Sequence, residues 1–106
     1  MVFVEASTFT RLLGDHLSDE EYAALQRHLI EYPDSGAIIR GSGGIRKIRW
    51  RAGGKGKSGG VRVIYYWART AHQTFMLTFY GKDEKEDLSS ADLKKVVRLL
   101  AEMANG

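Results

Sequence analysis

The chain contains no cysteine. Disulfides, thiolate metal sites and a cysteine nucleophile are therefore excluded. Proline occurs once, at Pro33. No apolar run approaches the ~18 residues that cross a bilayer. The opening MVFVEASTF lacks a basic leader segment and carries Glu5 early, so it does not read as a signal peptide. A soluble cytoplasmic protein is expected. The last absence is local: all 13 acids lie in residues 1–34 and 83–106, and none lies between Ser35 and Lys82.

A chain of 106 residues makes one domain, spanning 1–106. Its apolar fraction of 43% is that of a folded globule. The net charge of +3 understates its polarity. The acid-free span holds Arg40, Arg46, Lys47, Arg49, Arg51, Lys55, Lys57, Arg62, Arg69 and Lys82. Seven of these cations fall within RKIRWRAGGKGKSGGVRVIYYW, Arg46 to Trp67. Such local repulsion is tolerated where a polyanion neutralises it. The blander alternative is a solvated basic face.

MVFVE carries a short strand signal, and TFTRLLGDHL a short helix ended by Gly14. LSDEEYAALQRHLIEYP is a stronger helix: Ser18 caps it, Glu21 completes a capping box and Pro33 stops it. Tyr22, Leu25 and Leu29 form its buried stripe. DSGAIIRGSGG reads as a loop. Three strands then alternate. In IRKIRWR, Ile48 and Trp50 oppose Lys47, Arg49 and Arg51. In VRVIYYW, Val61, Val63, Tyr65 and Trp67 oppose Arg62, Ile64 and Tyr66. In TFMLTFYG, Phe75, Leu77 and Phe79 oppose Met76, Thr78 and Tyr80. A final amphipathic helix opens at Ser89 and Asp92 and buries Leu93, Val96, Val97, Leu100 and Met103. The order is β-α-α-β-β-β-α. It implies an α+β fold: a small antiparallel sheet with helices packed on one face, the other face showing Arg49, Arg62, Tyr66 and Tyr80.

Gly54, Gly56 and Gly59 fit G-x-G-x-x-G, and Gly56-Lys57-Ser58 resembles the end of a P-loop. The first P-loop glycine would fall at Arg51, and both motifs need a helix to follow, where a strand is expected. Nucleotide binding is set aside. His16, His28 and His72 lack metal-ligand spacing, and the basic span offers no paired carboxylates, so no metal is expected. What remains is a glycine-rich loop carrying Lys55 and Lys57 beside a face of arginine and tyrosine. Cations position phosphates, and Tyr66 and Tyr80 offer rings on which splayed bases stack; the alternative for both rings is core packing.

On these residues the chain resembles the RelE/ParE superfamily of bacterial toxins, nearest the HigB branch of the RelE-type mRNA interferases. The opening strand, the LSDEEY helix start, the GKGKSGG-R-IYY…YGK series and the lysine-bearing last helix carry the likeness, over roughly residues 2–103. The resemblance implies the toxin of a type II toxin–antitoxin system. Such an endoribonuclease enters the ribosomal A site, cuts the mRNA codon there and so inhibits translation. A cognate acidic antitoxin, also a DNA-binding repressor, is implied as partner, and no membrane. The implied reaction is attack of an RNA 2′-hydroxyl on the adjacent phosphate, with no metal and no cofactor.

Carried over by position, the resemblance assigns catalysis to Lys55, Lys57, Arg62 and Tyr80. Arg62 would stabilise the phosphorane, since a guanidinium grips two oxygens. Lys57 or Lys55 would move a proton, because clustered cations depress a lysine pKa. RNA binding falls to Lys47, Arg49, Arg51, Tyr66, Lys82 and Lys85. The best-known RelE pattern has an arginine and a tyrosine where this chain has Asp83 and Ser89, so Tyr80 or Tyr66 would take the tyrosine's part, or lysine alone would transfer protons. A ParE-type gyrase poison and a noncatalytic RNA- or ribosome-binding module are the rival readings.

Overall fold

The computed structural model describes residues 1–51, 60–81, 84 and 87–105. Along these the chain runs β1 (Val2–Glu5), α1 (Ser7–His16), α2 (Asp19–Glu31), β2 (Ala37–Ile38), β3 (Arg46–Trp50), β4 (Val61–Ala68), β5 (Gln73–Gly81) and α3 (Ser90–Asn105). The strands form one sheet in the order β1-β5-β4-β3-β2. The α+β class and the β3–β4–β5 meander stand as expected. The sheet is mixed, because β1 lies parallel to β5 while the other pairs are antiparallel.

The helices begin where the sequence directs. Ser18 Oγ accepts from the Glu21 amide and Glu21 Oε1 accepts from the Ser18 amide, so the capping box of α2 closes. Acids at Asp19, Glu20 and Glu21 face the positive end of its dipole. Ser89 Oγ accepts from the Asp92 amide and starts α3 in the same manner. Gly14 does not end α1, which runs two residues further to His16. The reason is tertiary. The buried His16 ring lies edge-on to Phe79 at 5.0 Å, and its two nitrogens lie near Leu12 O and Glu84 Oε1. That anchoring outweighs the ~1 kcal/mol by which glycine disfavours a helix interior.

The loop expected at DSGAIIRGSGG contains β2. Ser42 Oγ donates to Ile39 O and accepts from the Ile45 amide, while the Ile39 amide donates to Ile45 O. This tight turn folds Ala37 and Ile38 back against Lys47 and Arg46. Arg46 Nη1 then donates to the carbonyls of Asp34 and Gly36, so this cation clamps the incoming chain.

Both faces of the sheet carry apolar clusters. The first joins Phe9, Leu25 and Leu29 of α1 and α2 to Val61, Val63, Tyr65, Met76 and Phe79. Burying each large side chain contributes about 1.5–3 kcal/mol. Leu25→Ala alone would cost about 2–5 kcal/mol. The second cluster joins Ile45, Ile64, Phe75, Leu77 and Tyr80 to Val96 of α3. The second face is therefore covered in part by α3 and the 39–45 turn. Leu99 of α3 packs on the first cluster, Leu100 on the second and Met103 on both, whereas Val97 is exposed.

A bulge explains the partition of β5. Ile64 pairs with Thr78 but Tyr65 pairs with Met76, which leaves Leu77 as the extra residue. One extra residue reverses the inward–outward alternation beyond it. Met76 and Phe79 thus share the first cluster, and Phe75, Leu77 and Tyr80 the second, instead of the strict alternation expected from TFMLTFYG.

Candidate nucleic-acid interface

Strand register builds the site. Arg49 of β3 lies opposite Arg62 of β4, and Arg62 lies opposite Tyr80 of β5. Directly paired residues project from the same side of a sheet, so the three form a row across it. The next row is Ala37, Lys47, Ile64 and Thr78. The alternation read from the sequence thus places Lys47, Arg49, Arg62, Tyr66 and Tyr80 on the expected face.

Their exposure differs from expectation. Arg49 is exposed, but Arg62 is only 5% exposed and Tyr80 3%. For Tyr80 the cover of the second cluster accounts for this, since Val96, Leu77 and Ile45 belong to the same cluster; Arg62 is its direct neighbour across the sheet. Arg62 Nη1 is buried without a hydrogen-bond partner among the described residues. A guanidinium nitrogen withheld from water and unpaired costs on the order of 1–3 kcal/mol, more when charged.

The Tyr80 hydroxyl is held protonated above its ordinary range. Burial is the main cause and the Asp87 carboxylate adds to it, against the opposing pull of Arg62. Lys47 Nζ is ion-paired with Asp87 Oδ1. That hydrogen bond and charge, with a smaller effect of Arg62, hold the Asp87 carboxyl below its usual range. Tyr66 is half-buried on the same face, and a Cβ added at Gly44 would stand 3.3 Å from its ring.

Gly60 returns the chain to this row. Its φ of +77° is left-handed, and a Cβ there would lie 2.2 Å from Trp50 O. Only glycine fits at this closure, immediately beyond the Trp50–Val61 pair that follows Arg49 and Arg62. Arg51 is exposed where the described part of β3's exit ends. Lys55 and Lys57 lie outside the described residues, as do Lys82 and Lys85. Gly81, after which Lys82 follows in sequence, pairs with Val61 at this same end of the sheet.

The histidines serve the fold. His28 Nε2 is 3.1 Å from Ser35 Oγ and its ring packs at 5.3 Å from Trp50, while His72 occupies a left-handed turn at φ +53°. Among the described residues no group of His, Asp and Glu is arranged to hold a metal ion. Tyr65, which also lies in the aromatic run, is wholly buried; it donates to Pro33 O and accepts from the Gly36 amide. Sequence reading missed Asp87 as a member of the site. It lies 40 residues from Lys47, and no local signal links the two.

E. coli toxin RelE, solved in the free state as a variant with two arginines replaced by alanine, matches with a TM-score of 0.60 over 89% of this chain and 94% of its own. At 16% identity the likeness is one of fold. The family model for the RelE toxin of the RelE/RelB toxin–antitoxin system matches residues 4–105. The chain belongs to the RelE toxin family.

Proposed function

We propose that this chain is the toxin of a type II toxin–antitoxin pair and acts as a ribosome-dependent endoribonuclease, cutting mRNA in the A site and halting translation in the cytoplasm. The observation that carries the reading is the row Arg49–Arg62–Tyr80, in which a buried guanidinium nitrogen with no hydrogen-bond partner among the described residues stands beside a phenol held protonated.

The chemistry follows from those groups. The 2′-hydroxyl attacks the adjacent phosphorus, its proton passes to a neutral lysine, Lys57 or Lys55, and a dianionic phosphorane forms. Arg62 donates to two of its oxygens, a contact that strengthens as charge develops. The bond to the 5′-oxygen breaks, and Tyr80 donates the proton that this oxygen needs. A 2′,3′-cyclic phosphate and a 5′-hydroxyl result. Arg49, Arg51, Lys47, Lys82 and Lys85 hold flanking phosphates, and Tyr66 offers a ring to a base. A lone basic face orients flexible RNA weakly, so the ribosome supplies the placement that lowers much of the barrier.

The acid-free span also suits neutralisation by an acidic antitoxin that doubles as a DNA-binding repressor. Charge complementarity speeds such an association, which should slow markedly from low to physiological salt.

Product ends test the reaction. Fragments from a purified translation system should carry 5′-hydroxyl groups and require phosphorylation before ligation. Ends bearing 5′-phosphate would refute the mechanism. Intact mRNA with inhibited DNA supercoiling would mark a gyrase poison instead.

A further inference from the structure

Among the described residues, Asp87 is the acid that the structure pairs with a cation of the acid-free span. Its partner Lys47 sits on the face and side of the sheet that carry Arg49 and Arg62. Asp87, Lys47 and Tyr80 line one open cavity of about 480 Å³, to which Ile39, Leu88 and Leu93 add apolar surface. The carboxylate thus stands among the groups to which the proposed reaction gives work.

We infer that Asp87 is the resident anion of this site: in the free toxin its carboxylate holds Lys47 in the position where an RNA phosphate will be bound, and the phosphate displaces it on loading. The inference rests on the reading of the basic row as a phosphate site. Two features support it. First, a carboxylate and a phosphate present the same pair of anionic acceptor oxygens to a cation. Asp87 feels Lys47 and, less, Arg62, and its charge adds to the burial that raises the Tyr80 hydroxyl, so its field spans the row.

Second, the hold is weak enough to be exchanged. The Asp87 side chain is 73% exposed, against 29% for Lys47. Pairs this exposed shift an equilibrium by about five-fold at most. A phosphate contacting Lys47 and the arginines together outcompetes such a partner. Asp87 is therefore a positioning residue. It pre-extends a flexible lysine toward the site and lowers the affinity for stray anions.

The test is binding of a dye-labelled RNA hexamer with 2′-O-methyl riboses, which cannot be cut, at low ionic strength. Asp87→Asn should bind about 2- to 5-fold more tightly than the parent. In a Lys47→Met background that gain should fall by more than half, since the two residues act through each other. The ¹³Cε signal of Lys47 should move on adding the hexamer to the parent toward its position in Asp87→Asn. Arg49→Ala separates the two levels of the reading. If Arg49→Ala weakens binding while Asp87→Asn leaves it unchanged or weaker, the resident-anion role is overturned and the phosphate site stands. If Arg49→Ala binds as the parent does, the phosphate site itself fails, and the role of Asp87 with it. A Lys47 signal that stays in place on adding RNA also overturns the exchange.

Discussion

Arg49 and Arg62 stand directly opposite each other on β3 and β4, with their side chains on the same side of the sheet. Like charges in this relation destabilise a strand pair by roughly 0.2–1 kcal/mol. Burial compounds it at Arg62, whose Nη1 has no partner among the described residues. A folded chain keeps two such penalties side by side where an anion relieves both. On the proposed reading, the stability lost in the free protein is the counterpart of affinity for phosphate.

Arg62→Met separates these effects. Methionine fills much of the same volume with no charge to desolvate. Urea unfolding should show stability unchanged or raised by about 1–3 kcal/mol. Cleavage on the ribosome should fall by ~10²–10³. Arg62→Ala should lose activity equally but also stability, because the side chain is buried. A marked loss of stability in the methionine variant would mean that the guanidinium anchors the fold.

Arg49→Ala should leave the fold intact, since the residue is exposed. Relief of repulsion should raise stability by up to ~1 kcal/mol. In salt titrations of RNA binding, the slope of log K against log salt should become shallower by about 0.7, the share of one phosphate contact on a single strand. An unchanged slope would remove Arg49 from the phosphate-binding set and, with it, the phosphate site read from the row.

Tyr80→Phe keeps the buried ring and deletes the proton donor. Cleavage should drop by about 10²–10⁴, with binding of uncleavable RNA nearly unchanged. Tyr22, Tyr65 and Tyr80 are all raised, each mainly by burial. The folded state therefore keeps protons that the unfolded chain releases near pH 10. Their contribution is complete below about pH 10 and is lost as pH climbs from there toward the folded values. Unfolding followed from pH 8 to 12 should show stability falling from about pH 10, less steeply in Tyr22→Phe. A flat profile would contradict the burial of these phenols.

Two glycines should respond oppositely. At Gly14, within α1, an added Cβ meets nothing within 4 Å, so Gly14→Ala should stabilise by about 0.5–1 kcal/mol. At Gly60, left-handed and 2.2 Å from Trp50 O through its would-be Cβ, alanine should destabilise by more than ~1 kcal/mol. Each kcal/mol corresponds to a Tm shift of about 4–8 °C in a domain of this size.

Local chemistry was legible in the sequence. The Ser18–Glu21 box, the end of α2 before Pro33, the meander and the side to which Arg49 and Arg62 point all follow from short-range pattern. What was not legible depends on distant partners. The bulge at Leu77 leaves no mark in FMLTFY, because alternation is equally good in either parity until the partner strand fixes the register. The burial of Tyr80 comes with the packing of α3, whose apolar stripe reaches both clusters through Leu99 and Leu100. Asp87 and Arg46 were assigned by tertiary contacts alone, one to Lys47 and the other to the carbonyls of Asp34 and Gly36.

Primer extension on one mRNA, free and held on ribosomes in a purified translation system, tests the central claim most directly. With this protein at equimolar level, ribosome-bound mRNA should show cuts in register with the A-site codon, and free mRNA should remain whole. Equal cutting of both would contradict ribosome dependence, and intact mRNA on stalled ribosomes would contradict catalysis.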